Sequence, residues 1–191
     1  MTNTSRCKWS EKDPLYIQYH DTEWGVPLHD EQQLFEFLML ETFQAGLSWI
    51  TILRKRENFR QAFDNFDYKK IAQYKERKIQ ALLQDKGIIR NKLKVRAAVS
   101  NAQAFLKVQK EFGSFANYVW AFVNGKPAQN KWISVKELPS KTELSDQLSK
   151  ELKKRGFKFV GSTIVYAYMQ ATGMVNDHTV NCFRHKEVRK L

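Results

Sequence analysis

Apolar residues recur along this chain at helical spacing far more often than at the alternation of a strand. Asp30 followed three positions on by Gln33 has the pattern of a capping box and opens an apolar run over 34–40, predicting a helix over 31–43. Gly46 supplies a stop, and Ser48 a cap for a second helix that carries Trp49, Ile50, Ile52 and Leu53 before the basic run Arg54, Lys55, Arg56. Further helices are predicted over 68–74, over 78–85 with Gly87 as the stop, over 91–110, and over 115–123 after the cap Ser114. Leu144, Leu148 and Leu152 recur every four residues, so 142–155 reads as an amphipathic helix ended by Gly156, and another helix follows over 162–172. The stretch Gly156-Phe157-Lys158-Phe159-Val160-Gly161 between them reads as a short hairpin, and 124–139 as a long loop with a turn at Asn124-Gly125. Strand signals are sparse, so the fold class is all-α, with residues 1–191 forming one unit or two small helical lobes around a pocket.

Composition narrows the partner more than the fold. Among 191 residues, 32 Lys+Arg stand against 20 Asp+Glu, a formal charge of +12 that favours a polyanion. With 42% hydrophobic and 13% aromatic residues the chain is too apolar for a disordered tail. The polar stretch 1–6 and the lack of any apolar run of about 18 residues predict a protein without signal sequence or membrane span, and a cytoplasmic location. Cys7 and Cys182 are far apart in sequence and make no disulfide framework.

Four constellations carry chemical content. Cys7 and His20 near one end, with His178 and Cys182 near the other, supply two thiolates and two imidazoles, the donor set of a closed tetrahedral zinc site. A helical 178–182 would set the last pair one turn apart. The spacings match no common finger, so two buried cysteines with two surface histidines remain an open alternative, and His29 and His185 stand as substitute ligands. Glu41 shares a helical face with Leu34, Phe37 and Leu38, where a carboxylate is costly unless compensated. It serves either a pocket, by proton exchange or recognition of a cation, or the core, by capping an amide or pairing with an arginine. Glu36 points elsewhere and reads as solvated.

The third constellation is aromatic: Trp9, Tyr16, Tyr19, Trp24 and Trp49. Such a cluster is either plain core or, beside a buried acid, a slot for a flat cationic ring. The fourth is the basic helix end Lys153, Lys154, Arg155 running through Lys158 to a helix that begins at Ser162. Amides at a helix N-terminus and nearby cations attract phosphate, although a solvated face would look the same. Arg90, Lys92, Lys94 and Arg96 read as surface charge.

Several of these residues fall within longer strings. Cys7, Tyr16, Tyr19-His20-Asp21-Thr22-Glu23-Trp24-Gly25, Leu40-Glu41, Gln44-Ala45-Gly46-Leu47-Ser48-Trp49, Arg155 through Gly161, and Val175-Asn176-Asp177-His178 with Cys182 together resemble the bacterial DNA-3-methyladenine glycosylase I family. The resemblance runs from about residue 6 to 183. It implies a helix-hairpin-helix glycosylase fold with a structural zinc, held by Cys7, His20, His178 and Cys182, that joins the two termini. It also implies a base pocket on Glu41, Tyr19, Trp49, Tyr16, Trp9 and Trp24, and places Leu47 in the gap left by an extruded nucleotide. Gly156, Lys158, Gly161 and Ser162 fall on its DNA-binding hairpin.

The implied reaction is hydrolytic release of cationic 3-methyladenine from alkylated duplex DNA by a monomer, leaving an abasic site, with the free base as product. The family lacks the aspartate that many superfamily relatives use after the hairpin helix, which assigns Asp177 a structural part. Thr163 stands where lyase-competent relatives carry a lysine, implying a monofunctional enzyme. One departure is Thr42, where the family usually has glycine or serine. A DNA-binding module without catalysis is the alternative, and a zinc hydrolase is disfavoured because four Cys/His ligands leave no open position for water.

Overall fold

The computed structural model describes residues 5–191. Its helices are α1 (Pro14–Thr22), α2 (Glu31–Gln44), α3 (Trp49–Ala62), α4 (Tyr68–Ile71), α5 (Glu76–Gln84), α6 (Lys92–Phe112), α7 (Phe115–Trp120), α8 (Glu143–Lys154), α9 (Ser162–Ala171) and α10 (Phe183–Val188). Two two-residue strands, β1 (Ala128–Gln129) and β2 (Val175–Asn176), pair in parallel with Ala128 opposite Val175. The Asn124-Gly125 turn therefore does not make a hairpin: it ends a short 3-10 turn after α7, and β1 finds its partner far along the chain.

The chain forms α1 where no helix is predicted, although its signals are plain: the Asp13 carboxylate caps the amide of Leu15, and Pro14 sits in the first turn, where its missing N–H costs nothing. α2 is the central rod, buried from Leu34 to Phe43. Asp30 caps it through the Gln33 amide, and Glu31 accepts from the amides of Phe115 and Ala116, placing a negative charge at the start of α7. Phe35 and Phe43 of α2 join Phe59, Phe63, Phe66, Phe105 and Phe115, all fully buried, in the main hydrophobic cluster.

α8 and α9 pack together across the turn over 156–161, which contains no strand. Gly156 has φ +93°, a conformation that strains any L side chain. Asn101 of α6 clamps the turn, accepting from the Lys158 amide at 2.8 Å and donating to its carbonyl at 3.1 Å, while Ser149 donates to the Val160 carbonyl. Nothing in the sequence pairs Asn101 with this turn.

Candidate active site and metal centre

α1, α2 and α3 converge on one cavity of about 230 Å³, lined by Trp9, Tyr16, Tyr19, Trp24, Glu41, Gln44, Trp49, Leu138, Ala167 and Gln170. Every pocket residue expected from the sequence is there. Tyr16 and Tyr19 come from α1, Glu41 and Gln44 from one face of α2, and Trp49 from the start of α3. Trp9 anchors the wall by edge contacts to Tyr16 and Trp24, with ring centroids 5.4 and 5.1 Å apart. The Tyr16 hydroxyl accepts from the Ile50 amide at 3.0 Å, tying α1 to the first turn of α3.

Glu41 is 3% exposed, and no hydrogen bond or ion pair reaches its carboxyl from the described residues. Burial alone pushes its pKa up to about 8, because the charged form has lost its water and gained no partner. Tyr19 is held well above the ordinary phenol range by burial and, secondarily, by Glu41. Of the two roles left open for Glu41, the structure supports the pocket-facing acid. Glu36 is the reverse of its expectation: it is 6% exposed, and Arg56 and Arg60 reach it at 2.6 and 2.9 Å. Thr42 turns from the cavity and donates to the Leu38 carbonyl.

Leu138, Ala167 and Gln170 line the pocket without being expected there from the sequence, and so does Gln44, although it falls in one of the family strings. Gln44 is three positions after Glu41 on one helix face, which is a usable signal. Leu138 comes from the long loop, and loops of that length are commonly functional. Ala167 and Gln170 share a face of α9 but carry no distinguishing pattern.

Beside the aromatic wall, Cys7, His20, His178 and Cys182 are all buried and bring their four donor atoms within 4.8 Å of one another. The Cys182 sulfur lies 3.4 Å from His20 Nε2 and 3.6 Å from His178 Nδ1, and the Cys7 sulfur 3.8 Å from His178 Nδ1. The remaining ring nitrogens have partners: His20 Nδ1 meets Asp21 at 2.7 Å, itself held by Arg6, and His178 Nε2 meets the Trp24 carbonyl at 2.9 Å. Those bonds leave His20 Nε2 and His178 Nδ1 to face the sulfurs, an arrangement that could hold a metal ion. The 178–182 segment is a turn rather than a helix, and Cys182 is the N-cap of α10. Gly25, at φ +80°, leaves room for the His178 ring: a Cβ there would lie 2.9 Å from Nε2. The substitute ligands are occupied elsewhere, His29 stacked on Trp120 and His185 bonded to the Asn130 carbonyl.

Asp177 is saturated. Its carboxylate accepts from Asn130, Trp132, Tyr166 and Gln170 at 2.6–2.8 Å and is 1% exposed. Leu47 is 39% exposed, on a loop turned by Gly46 at φ +83°, and its carbonyl accepts from Gln44 of the cavity wall at 3.0 Å. Lys94 braces that loop. It is 6% exposed rather than surface charge, and donates to the carbonyls of Phe43 and Ala45 at 2.9 and 2.6 Å, closing the C-terminal end of α2. At the 156–161 turn Lys158 is exposed. Ser162 bonds Ser145 at 2.8 Å, and Gly161 is the N-cap of α9. Arg155 is not free for phosphate as the sequence suggests, being paired with Glu111 and laid over Phe112 and Tyr118.

Comparison with known proteins identifies relatives of the whole chain. A family model described as methyladenine glycosylase covers residues 9–185. The chain is 52% identical over 177 residues to DNA-3-methyladenine glycosylase 1 of Escherichia coli (strain K12), spanning 93% of this chain and 95% of that protein. It superposes on a crystal structure of 3-methyladenine DNA glycosylase I with TM-score 0.91 and 53% identity, over 94% of this chain and 98% of the other. A variant of such an enzyme in complex with 3-methyladenine also matches, with TM-score 0.91 and 38% identity over 93% and 96% of the two chains. The chain therefore belongs to the methyladenine glycosylase family.

Proposed function

We propose that the protein extrudes 3-methyladenine from alkylated duplex DNA into the aromatic cavity and hydrolyses its glycosidic bond, leaving an abasic site. The observation that carries this is Glu41, a buried acid with no partner among the described residues, opening onto a ring-sized cavity walled by aromatics. Extrusion costs a few kcal/mol for any base. A neutral base entering the cavity leaves Glu41 with the burial cost that holds its pKa near 8. The lesion is different. Its delocalised positive charge draws the carboxyl into its ionised form and stacks well on indole, with Trp49 beneath the ring and Glu41 and Tyr19 on its edge.

Cleavage then moves the bonding pair from the sugar carbon to the base nitrogen, which neutralises the base. Water adds its hydroxyl to that carbon and gives up a proton. The base is already a good leaving group, so the residues chiefly bind and orient, with the Glu41 carboxylate favouring positive charge in the site throughout. No lysine stands at position 163, so the product is an intact abasic strand. Leu47 fills the vacated space in the duplex, and Gly156, Lys158, Gly161 and Ser162 meet the backbone as a helix-hairpin-helix. The +12 charge supports attraction to that polyanion.

The Cys/His cluster suits structural zinc. Zinc about 2.3 Å from sulfur and about 2.0 Å from nitrogen sets tetrahedral S and N donors roughly 3.5 Å apart. The separations of 3.4, 3.6 and 3.8 Å fit this. Bound there, the ion would supply a crosslink between the two ends of the chain and no open position for chemistry. Cys7, His20, His178 and Cys182 would hold it, while Asp21 and the Trp24 carbonyl orient the rings.

The test is release of free base from methylated duplex DNA. The expected result is release of 3-methyladenine by the protein, loss of that release in Glu41→Gln, its persistence at a reduced rate in folded Asp177→Asn, and no borohydride-trapped adduct. Tight DNA binding without base release would favour the non-catalytic module.

A further inference from the structure

The cavity holds a second polar group whose orientation is fixed from behind. Gln170 lines the wall from α9, and its Nε2 donates to Asp177 Oδ2 at 2.7 Å. The same oxygen accepts from the Tyr166 hydroxyl at 2.6 Å, while Oδ1 takes the Trp132 indole N–H, a group that can only donate. Reversing the Gln170 amide would set its carbonyl against a carboxylate oxygen, so the NH₂ end stays on Asp177. No donor among the described residues meets the Gln170 carboxamide oxygen. It is a neutral, preset acceptor in the wall of a cavity that also holds the unpartnered carboxyl of Glu41 and the carboxamide of Gln44, whose Nε2 donates to the Leu47 carbonyl at 3.0 Å.

Adenine and guanine lesions differ in what they offer such a group. An adenine lesion carries an amino group at C6, a donor. A guanine lesion carries a carbonyl there, which would meet another lone pair and leave the amide oxygen unpaired. Charge cannot make this distinction, because both lesions are cationic. A neutral acceptor held in one orientation can.

We propose that Gln170 is a specificity-determining residue of the pocket: its amide oxygen, oriented by Asp177, accepts from the C6 amino group of the extruded adenine lesion and disfavours a base with a carbonyl at that position. The proposal rests on the reading of the cavity as a methyladenine site. It also gives the saturated Asp177 a task as a positioning residue behind the pocket.

The experiment measures kcat/KM for release of 3-methyladenine and of 3-methylguanine from methylated duplex DNA by the full protein and by Gln170→Leu. The expected result is a fall of at least about tenfold in the ratio of the two, through loss on the adenine lesion with little change on the guanine lesion. Asp177→Asn, which frees the amide to turn, should shift the ratio the same way by less. An unchanged ratio, with both activities kept or both reduced alike, overturns the proposal. Should Gln170→Leu fail to fold, Gln170→Met is read by the same ratio. A wild-type protein that releases neither base would sink the methyladenine reading itself, whereas a wild type active on 3-methyladenine with a Gln170-independent ratio sinks only this inference.

Discussion

Glu36 and Glu41 leave the same helix about 7.5 Å apart along its axis and about 140° apart around it, and they meet opposite fates. Glu36 is buried in an ionic network: Arg56 donates to it and to Glu23, and Arg60 closes the other side. Burial would lower the Arg56 pKa, yet the two carboxylates hold it above its ordinary value. That network ties α1, α2 and α3 together behind the cavity. Glu41 has no such support and opens onto the cavity with a raised pKa. A buried acid that is compensated within the fold is structural, and one left uncompensated beside an empty space is available for a ligand to compensate.

The most severe way to break the contrast is to neutralise Glu41. Glu41→Gln should lower base release by roughly 10²-fold or more, the usual scale for removing a preorganised electrostatic contact. The same change should stabilise the free protein near pH 8 by about 1–3 kcal/mol, because the wild type holds an uncompensated buried acid there. Thermal melts and single-turnover release measure the two effects. Equal losses of stability and activity would place Glu41 with Glu36.

Glu36→Gln should do the opposite, destabilising by roughly 3 kcal/mol by stranding the Arg56 charge, while the folded fraction still releases base. Urea unfolding with activity per folded molecule reads this out. A smaller effect sharpens the comparison through pH. The Glu41 pKa is raised from about 4.5 to about 8 on folding, so the native state binds a proton that the unfolded chain has lost between those values. Stability should therefore decline from pH 4.5 to 8 through this group, and the advantage of Glu41→Gln should widen over that range and level off above it. Affinity for a fixed cationic purine should rise with pH up to about 8 and lose that slope in the variant. The smallest effect is expected of Lys94→Met, about 1–2 kcal/mol in stability from leaving the Phe43 and Ala45 carbonyls unpaired, with weaker DNA binding through a looser Leu47 loop. Melting and DNA titration check it.

Much of this was legible in the chain. The period of apolar residues placed α2, α6, α8 and α9 within a few positions, because a helix buries its side chains at fixed angular spacing whatever it packs against. α1 escapes that periodicity although Asp13-Pro14 announces it, since its aromatic residues carry no clean apolar stripe. The long shared strings named the family, the aromatic set and the Cys/His set. Lys94 and Glu36 depart from the expected solvation for one reason: charge identity predicts solvation on average, but a lysine is drawn inward where carbonyls converge and a glutamate where arginines do.

The sequence by itself determined which residues lie on the inner faces of the helices and which chemical groups the chain possesses. The tertiary structure decided which inner face meets core and which meets a cavity, that His20 and His178 turn opposite ring nitrogens toward the sulfurs, and that Gln170 presents an acceptor. Periodicity fixes the direction of a side chain about its own axis. What waits in that direction is set by helices distant in sequence, and there a carboxyl five residues from its twin finds empty space in place of two arginines.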